Sequence, residues 1–132
     1  MTTGGTAFEQ RDIVIIPFPF TDLSANKQRP ALIISNSDFN RRNLDVVCCM
    51  ITSHFESSAD HVPIRDGDCE MGHLGKDSVI KPFRLFTVSK SRIIKKYNRL
   101  AVPRARTVIE ELRKVIDLEE MNPRSSVTVP AY

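Results

Sequence analysis

Three short stretches of this chain carry side chains suited to one kind of chemistry. Arg29 stands directly before Pro30, where a polar run (residues 21–28) gives way to an apolar one (31–35). Thr52, Ser53 and His54 close a second apolar run that begins at residue 45, and Lys81 follows a third at 78–80. All three stretches read as strand ends, and the strand ends of a small barrel can meet on one rim. An arginine, a hydroxyl and a second cation around one cavity make a phosphate clamp. The guanidinium is a planar fork of donors that never loses its charge, the ammonium adds a point charge, and the hydroxyl donates to an oxygen. Taken singly, each residue has a plainer reading: Arg29 as a surface salt bridge, Thr52 as a β-former filling a strand position, His54 as a surface side chain.

The other reactive side chains form no pattern. Cys69 and His73 are spaced C-x3-H, with His54 and His61 scattered around them. Zinc sites need four ligands in tighter pairs, so no metal is expected. The glycines fit neither a P-loop nor a dinucleotide fingerprint, so no cofactor is expected either. Cys48 and Cys49 are neighbours on a strand and point to opposite faces, as inert core residues would. Three cysteines cannot all pair, which argues for a reducing cytoplasm over a disulfide framework. Phe18 and Phe20 share a face across Pro19, placed either to stack on bases or to fill a barrel core.

The elements that must position these residues are short. Strands are predicted at residues 12–18, 31–35 and 45–52, the last apolar on both faces and therefore central. A short edge strand is predicted at 61–64, a turn at 67–77, and two strand pieces at 78–80 and 85–88 interrupted by Pro82. Residues 38–42 form one helical turn. The one long helix runs over 103–116, opened by Pro103, with Val108, Ile109, Leu112, Val115 and Ile116 on the face that packs on the sheet. Arg104 and Arg106 in its first turn oppose the helix dipole, as tolerated surface charges. Short strands with tight turns and a terminal helix predict a mainly β fold with helices (α+β), a partly open small barrel with the helix against it.

The chain has 132 residues, enough for one domain with its own core. We divide it into a flexible N-terminus (1–9), a domain (10–118) and an extended tail (119–132). Apolar stretches such as 13–20 fall far short of the roughly 18 residues of a membrane span. Residues 1–7 lack the basic and apolar regions of a secretory leader. A cytoplasmic protein away from membranes is expected. Net charge is +3, but residues 1–66 carry 6 basic and 8 acidic side chains, whereas 67–132 carry 13 and 8. Within 76–106 ten Lys and Arg face Asp77 as the sole acid. That asymmetry fits a polyanionic partner, or simply a solvated face.

The order of these residues resembles one family. Arg11 to Ser24 (RDIVIIPFPFTDLS), followed by Lys27 to Ile34 (KQRPALII), is similar to the N-terminal signature of the PemK/MazF toxins. There a "GDI" strand, a "PF" and acidic loop and an "RPAL" strand follow in that order. The likeness continues in Val46 to Ser53 (VVCCMITS), where the family has an apolar strand ending in Thr-Ser, and in the run from Asp77 to Ser91. It covers about residues 10–118.

The resemblance implies an SH3-like barrel with a C-terminal helix, acting as a homodimer. It implies the toxin of a type II toxin–antitoxin pair: a metal-independent, sequence-selective endoribonuclease that cleaves single-stranded RNA by attack of the 2′-hydroxyl. It also implies an antitoxin whose acidic disordered segment blocks the RNA groove. Arg29 and Thr52 match the family's catalytic Arg and Thr, with Lys81 as the further cation, and Ser53 matches a substrate-contacting position. Pro19, Phe20, Lys27, Gln28, His54 and Arg84 are expected to bind RNA beside them. One departure stands out. Some relatives carry Arg-x-Asp, the Asp proposed as base, where this chain has Lys81-Pro82-Phe83; the nearest replacement by sequence is His54, since imidazole is a side chain suited to proton transfer. Two rivals differ in class: a non-catalytic toxin on the same barrel, as in the gyrase-poisoning CcdB proteins, and an SH3-like binding module. Scarce Tyr and absent Trp disfavour the module.

Overall fold

Alternating apolar residues close to Pro and Gly punctuation give most of the six strands, and the 3.6-residue period near the C-terminus gives a helix. This computed structural model describes residues 7–17, 27–54 and 59–120. In chain order these form β1 (Asp12–Pro17), β2 (Gln28–Ile33), α1 (Ser37–Arg42), β3 (Asp45–Thr52), β4 (Val62–Ile64), β5 (Ser78–Ser89), β6 (Lys95–Arg99) and α2 (Val102–Ile116). The sheet order is β4-β5-β3-β2-β1-β6, and every pair is antiparallel. Its two edges are drawn together. Beyond β4 a single 3-10 turn, Asp66–Asp68, leads to Cys69, which bridges Leu100 at the end of β6. The Glu70 amide donates to the Arg99 carbonyl at 2.8 Å, and the Ala101 amide donates to that of Asp68 at 2.7 Å. The sheet thus curls into the partly open barrel expected, with α2 packed on β5 and β4.

The curl has two apolar faces. Ile13, Leu32, Ile51 and Ile80 meet Leu100 and Val108 on one. Val14, Ile16, Ile33, Val46 and Cys48 form the other, with Phe86 and Val88 packed against them. Each fully buried side chain contributes roughly 1.5–3 kcal/mol. Cys48 and Cys49 fall in different cores, as strand alternation requires. Burial pushes the Cys48 thiol up to about 12 and raises that of Cys49, where the neighbouring Cys48 adds to the effect. A thiolate-seeking reagent at pH 8 should therefore leave both unmodified in the native protein and label both in guanidinium. Fast native labelling of either, read by peptide mass, would contradict this packing.

The structure corrects several sequence expectations. β2 starts at Gln28, so Arg29 lies inside a strand; Pro30 is tolerated because the β2–β3 ladder begins only at Ala31. Lys81 lies within β5, not at a strand end. The two strand pieces predicted there are one strand, and Pro82, Phe83 and Arg84 bulge out where the register jumps from Leu85–Cys49 to Lys81–Met50. β6 (KKYNR) has no apolar alternation and escaped the sequence reading. In α2, Val108 and Leu112 are buried, but Val115 and Ile116 are 59% and 62% exposed, so the last turn does not share the packed face. Arg104 is not merely tolerated: it pairs with Asp68 at 3.5 Å. No described helix is long and apolar enough to cross a membrane.

Candidate active site

Strand register gathers the three nominated residues on one face. β2 and β3 pair Ala31 with Met50. Two residues along each strand, on the same side by alternation and just past the last paired rung, come Arg29 and Thr52. β5 pairs Lys81 with Met50 and Val79 with Thr52, which puts Lys81 diagonal to Thr52 on that same face.

At this end of β2 and β3 opens a cavity of about 510 Å³. Gln28, Arg29, Thr52 and Ser53 line it, with Ile15, Pro30, Ile51 and Leu74 as its apolar part. Gly75, Lys76, Ser78 and Tyr97 complete the described lining, which contains two cations and no carboxylate. A concave site with that balance favours an anion. Arg29 is half-buried, and among the described residues its guanidinium has no ion pair. The arginines around the barrel closure differ: Arg99 holds Glu9 at 2.7 Å and Arg11 holds Glu70 at 2.8 Å. The Thr52 hydroxyl is oriented by its own turn. Its oxygen accepts the His54 amide at 3.0 Å, and a hydroxyl that accepts one bond still has its own hydrogen to donate.

The cavity therefore takes in Arg29, Thr52, Gln28 and Ser53 from the sequence-derived set. Lys27 and His54 are exposed next to lining residues, and Arg84 is exposed in the β5 bulge. Lys81 does not line the cavity, although it shares a face with Arg29 and Thr52. Phe83, which stands where some relatives have a carboxylate, stacks on His61 with centroids 6.2 Å apart. Pro19 and Phe20, with Phe18, lie outside the described residues, as do residues 1–6 and 121–132. Among the described residues no group of three or more His, Cys, Asp or Glu is placed to hold a metal.

Sequence reasoning missed Lys76 and Tyr97. Lys76 sits in a segment legible only as a turn, and Tyr97 in a strand without apolar alternation. The turn is held from both sides. Asp66 Oδ1 accepts the Leu74 amide at 2.7 Å, and that bond, with His73 at 3.3 Å, holds the Asp66 carboxyl below its ordinary range. From β6, the Tyr97 hydroxyl donates to the Leu74 carbonyl, and Asn98 Nδ2 donates to that of His73 at 3.1 Å. Asn98 Oδ1 accepts the amides of Met71 at 3.0 Å and Arg99 at 2.8 Å. The Ser78 hydroxyl donates to the Lys76 carbonyl at 3.1 Å.

Fold and site together define a small, partly open β-barrel with a terminal helix and a cleft lined by two cations at its strand ends. The chain belongs to the PemK-like, MazF-like toxins of type II toxin–antitoxin systems, whose family model matches residues 9–116. No curated protein sequence matches it. Among solved structures it is similar to an endoribonuclease from a mycobacterial species, at TM-score 0.66 and 18% identity over 88% of this chain and 97% of that one. It is similar to a mycobacterial endoribonuclease in complex with its cognate antitoxin, at TM-score 0.69 and 17% identity over 87% and 100%. MazF from Deinococcus radiodurans gives TM-score 0.69 and 18% identity over 86% and 100%. At these identities the likeness carries the fold.

Proposed function

We propose that this chain is the toxin of its pair and an endoribonuclease that cleaves single-stranded RNA without a metal, through attack of the 2′-hydroxyl on the adjacent phosphate. The observation that supports this most is that Arg29 and Thr52, from neighbouring strands, line one cavity whose described lining holds cations and no carboxylate. In this reading the 2′-oxygen forms a bond to phosphorus while the bond to the 5′-oxygen breaks. The 2′-hydroxyl proton goes to a base, and the leaving 5′-oxygen takes its proton from Lys81 or from water. Arg29, permanently charged, holds the non-bridging oxygens as negative charge builds on them and is not the base. Thr52 donates its hydroxyl hydrogen to one of those oxygens. His54, in the turn that orients Thr52, is the titratable group nearest to it in sequence and serves as the proton acceptor. Lys81 supplies positive charge from the same face. Ser53, Gln28, Lys27 and Arg84 carry the strand on either side, and Pro19 and Phe20 contribute to RNA binding as well.

The protein acts in the cytoplasm as a homodimer, and an acidic antitoxin segment competes for the cationic surface of residues 76–106. Complexes of related toxins with their antitoxins support such a partner. Incubating the purified protein with a long RNA in EDTA tests the chemistry. Discrete fragments with 2′,3′-cyclic phosphate and 5′-hydroxyl ends are expected. Chelator-sensitive cleavage or 5′-phosphate ends would overturn the mechanism, and intact RNA would leave the non-catalytic toxin as the reading.

A further inference from the structure

Besides Arg29, the described lining of the cavity holds one cation, and it is not the lysine the sequence nominates. Lys81 lies outside the lining; Lys76 belongs to it. Among the described residues the Lys76 side chain is exposed and has no ion pair. Its backbone, by contrast, is closely held. Leu74 is buried in the core that holds Ile13, Leu100 and Val108, its amide is bound to Asp66 and its carbonyl to Tyr97, and the Lys76 carbonyl is bound to Ser78. Gly75 has φ +93°, a conformation other residues adopt only under strain, and a Cβ there would lie 3.0 Å from the Tyr97 hydroxyl oxygen. Any side chain in place of Gly75 would therefore strain the turn and crowd Tyr97 next to Lys76. A free charge on a fixed stem at the rim of an anion-accepting cavity is what recognition of a second phosphate requires.

We propose that Lys76 is a substrate-contacting residue that binds the phosphate neighbouring the scissile one in single-stranded RNA, and that Tyr97 and Gly75 are positioning residues for it. This rests on reading Arg29 and Thr52 as the RNA-cleaving site. Lysine suits a flanking phosphate, which must be held but not polarised, because a mobile, hydrated ammonium binds it without demanding a fixed geometry. The division of labour is then one arginine for the reacting phosphate and one lysine for its neighbour, with the apolar residues between them facing the intervening nucleoside.

Binding of a 2′-O-methyl RNA, which cannot be cleaved, measures Lys76 whether or not the chain cuts RNA. Lys76→Ala is expected to weaken binding about threefold to tenfold at low salt and to flatten the slope of log Kd against log salt by about 0.7, the value for one contact to a single strand. Lys76→Arg should restore both. Tyr97→Phe, which frees the Leu74 carbonyl, should shift binding in the same direction by less, and in cleavage the loss should fall on the half-saturating RNA concentration more than on the saturated rate. Wild-type affinity and salt slope in a folded Lys76→Ala protein would overturn the proposal, as would finding the whole effect in Lys81→Ala. If wild-type protein binds this RNA through Lys76 yet cuts no RNA, the cleavage reading fails and the binding assignment stands.

Discussion

An Arg29→Ala protein is expected to melt like wild type and to cleave RNA about 10² to 10³ times more slowly in single turnover. That corresponds to roughly 2.7–4 kcal/mol for one preorganised donor aimed at transition-state charge. The size of the effect follows from the environment. Arg29 is half-buried at the cavity and engages no carboxylate among the described residues, so no local anion competes with the phosphorane for its charge. Arg29→Lys should recover little, because an ammonium cannot present two parallel donors. Thr52→Val keeps strand preference and shape but removes the hydroxyl donor, so it should slow cleavage by a smaller factor while leaving the fold intact. Near wild-type cleavage by a folded Arg29→Ala protein would remove this cavity from consideration as the active site.

The second large effect concerns stability. Asn98 is 1% exposed, and its amide group makes three bonds, accepting from Met71 and Arg99 and donating to His73. Asn98→Ala strands those backbone groups together. Each buried polar group left unmade costs about 1–3 kcal/mol, and water reaches the exposed Met71 and His73 ends, so the net loss should be about 2–3 kcal/mol. For a domain of this size that lowers Tm by on the order of 10 °C. Hydrogen exchange should also quicken at Met71 and Leu74 before the central strands are affected. An unchanged melting curve with unchanged protection in this segment would show that the turn holds itself without β6.

What the sequence made legible follows from how much each element relies on side-chain pattern. β3 and the middle of α2 announce themselves because both bury a continuous apolar set, and Arg29-Pro30 and Thr52-Ser53 stand at their motif positions next to such runs. β6 was illegible because its stability comes from elsewhere. Lys96 reaches the buried Asp12 at 3.2 Å, Arg99 reaches Glu9, and Tyr97 and Asn98 bond to a turn more than twenty residues away. No local period encodes such contacts. Val115 and Ile116 show the reverse error: a helical period persists one turn beyond the surface that would bury it. Lys76 was missed for the same reason as β6. Its place at the cavity depends on where Tyr97 holds the turn, and only the curled sheet brings the two together.

The bond from Tyr97 to Leu74 also makes the protein its own optical probe. The chain contains no tryptophan and two tyrosines, the other being Tyr132. In a Tyr132→Phe background the intrinsic emission comes from one phenol, and that phenol is tied to the turn bearing Lys76. Nucleic acid entering the cavity, or a partner sealing it, would change the surroundings of that single ring. Occupancy could thus be followed without a dye, a label or any turnover.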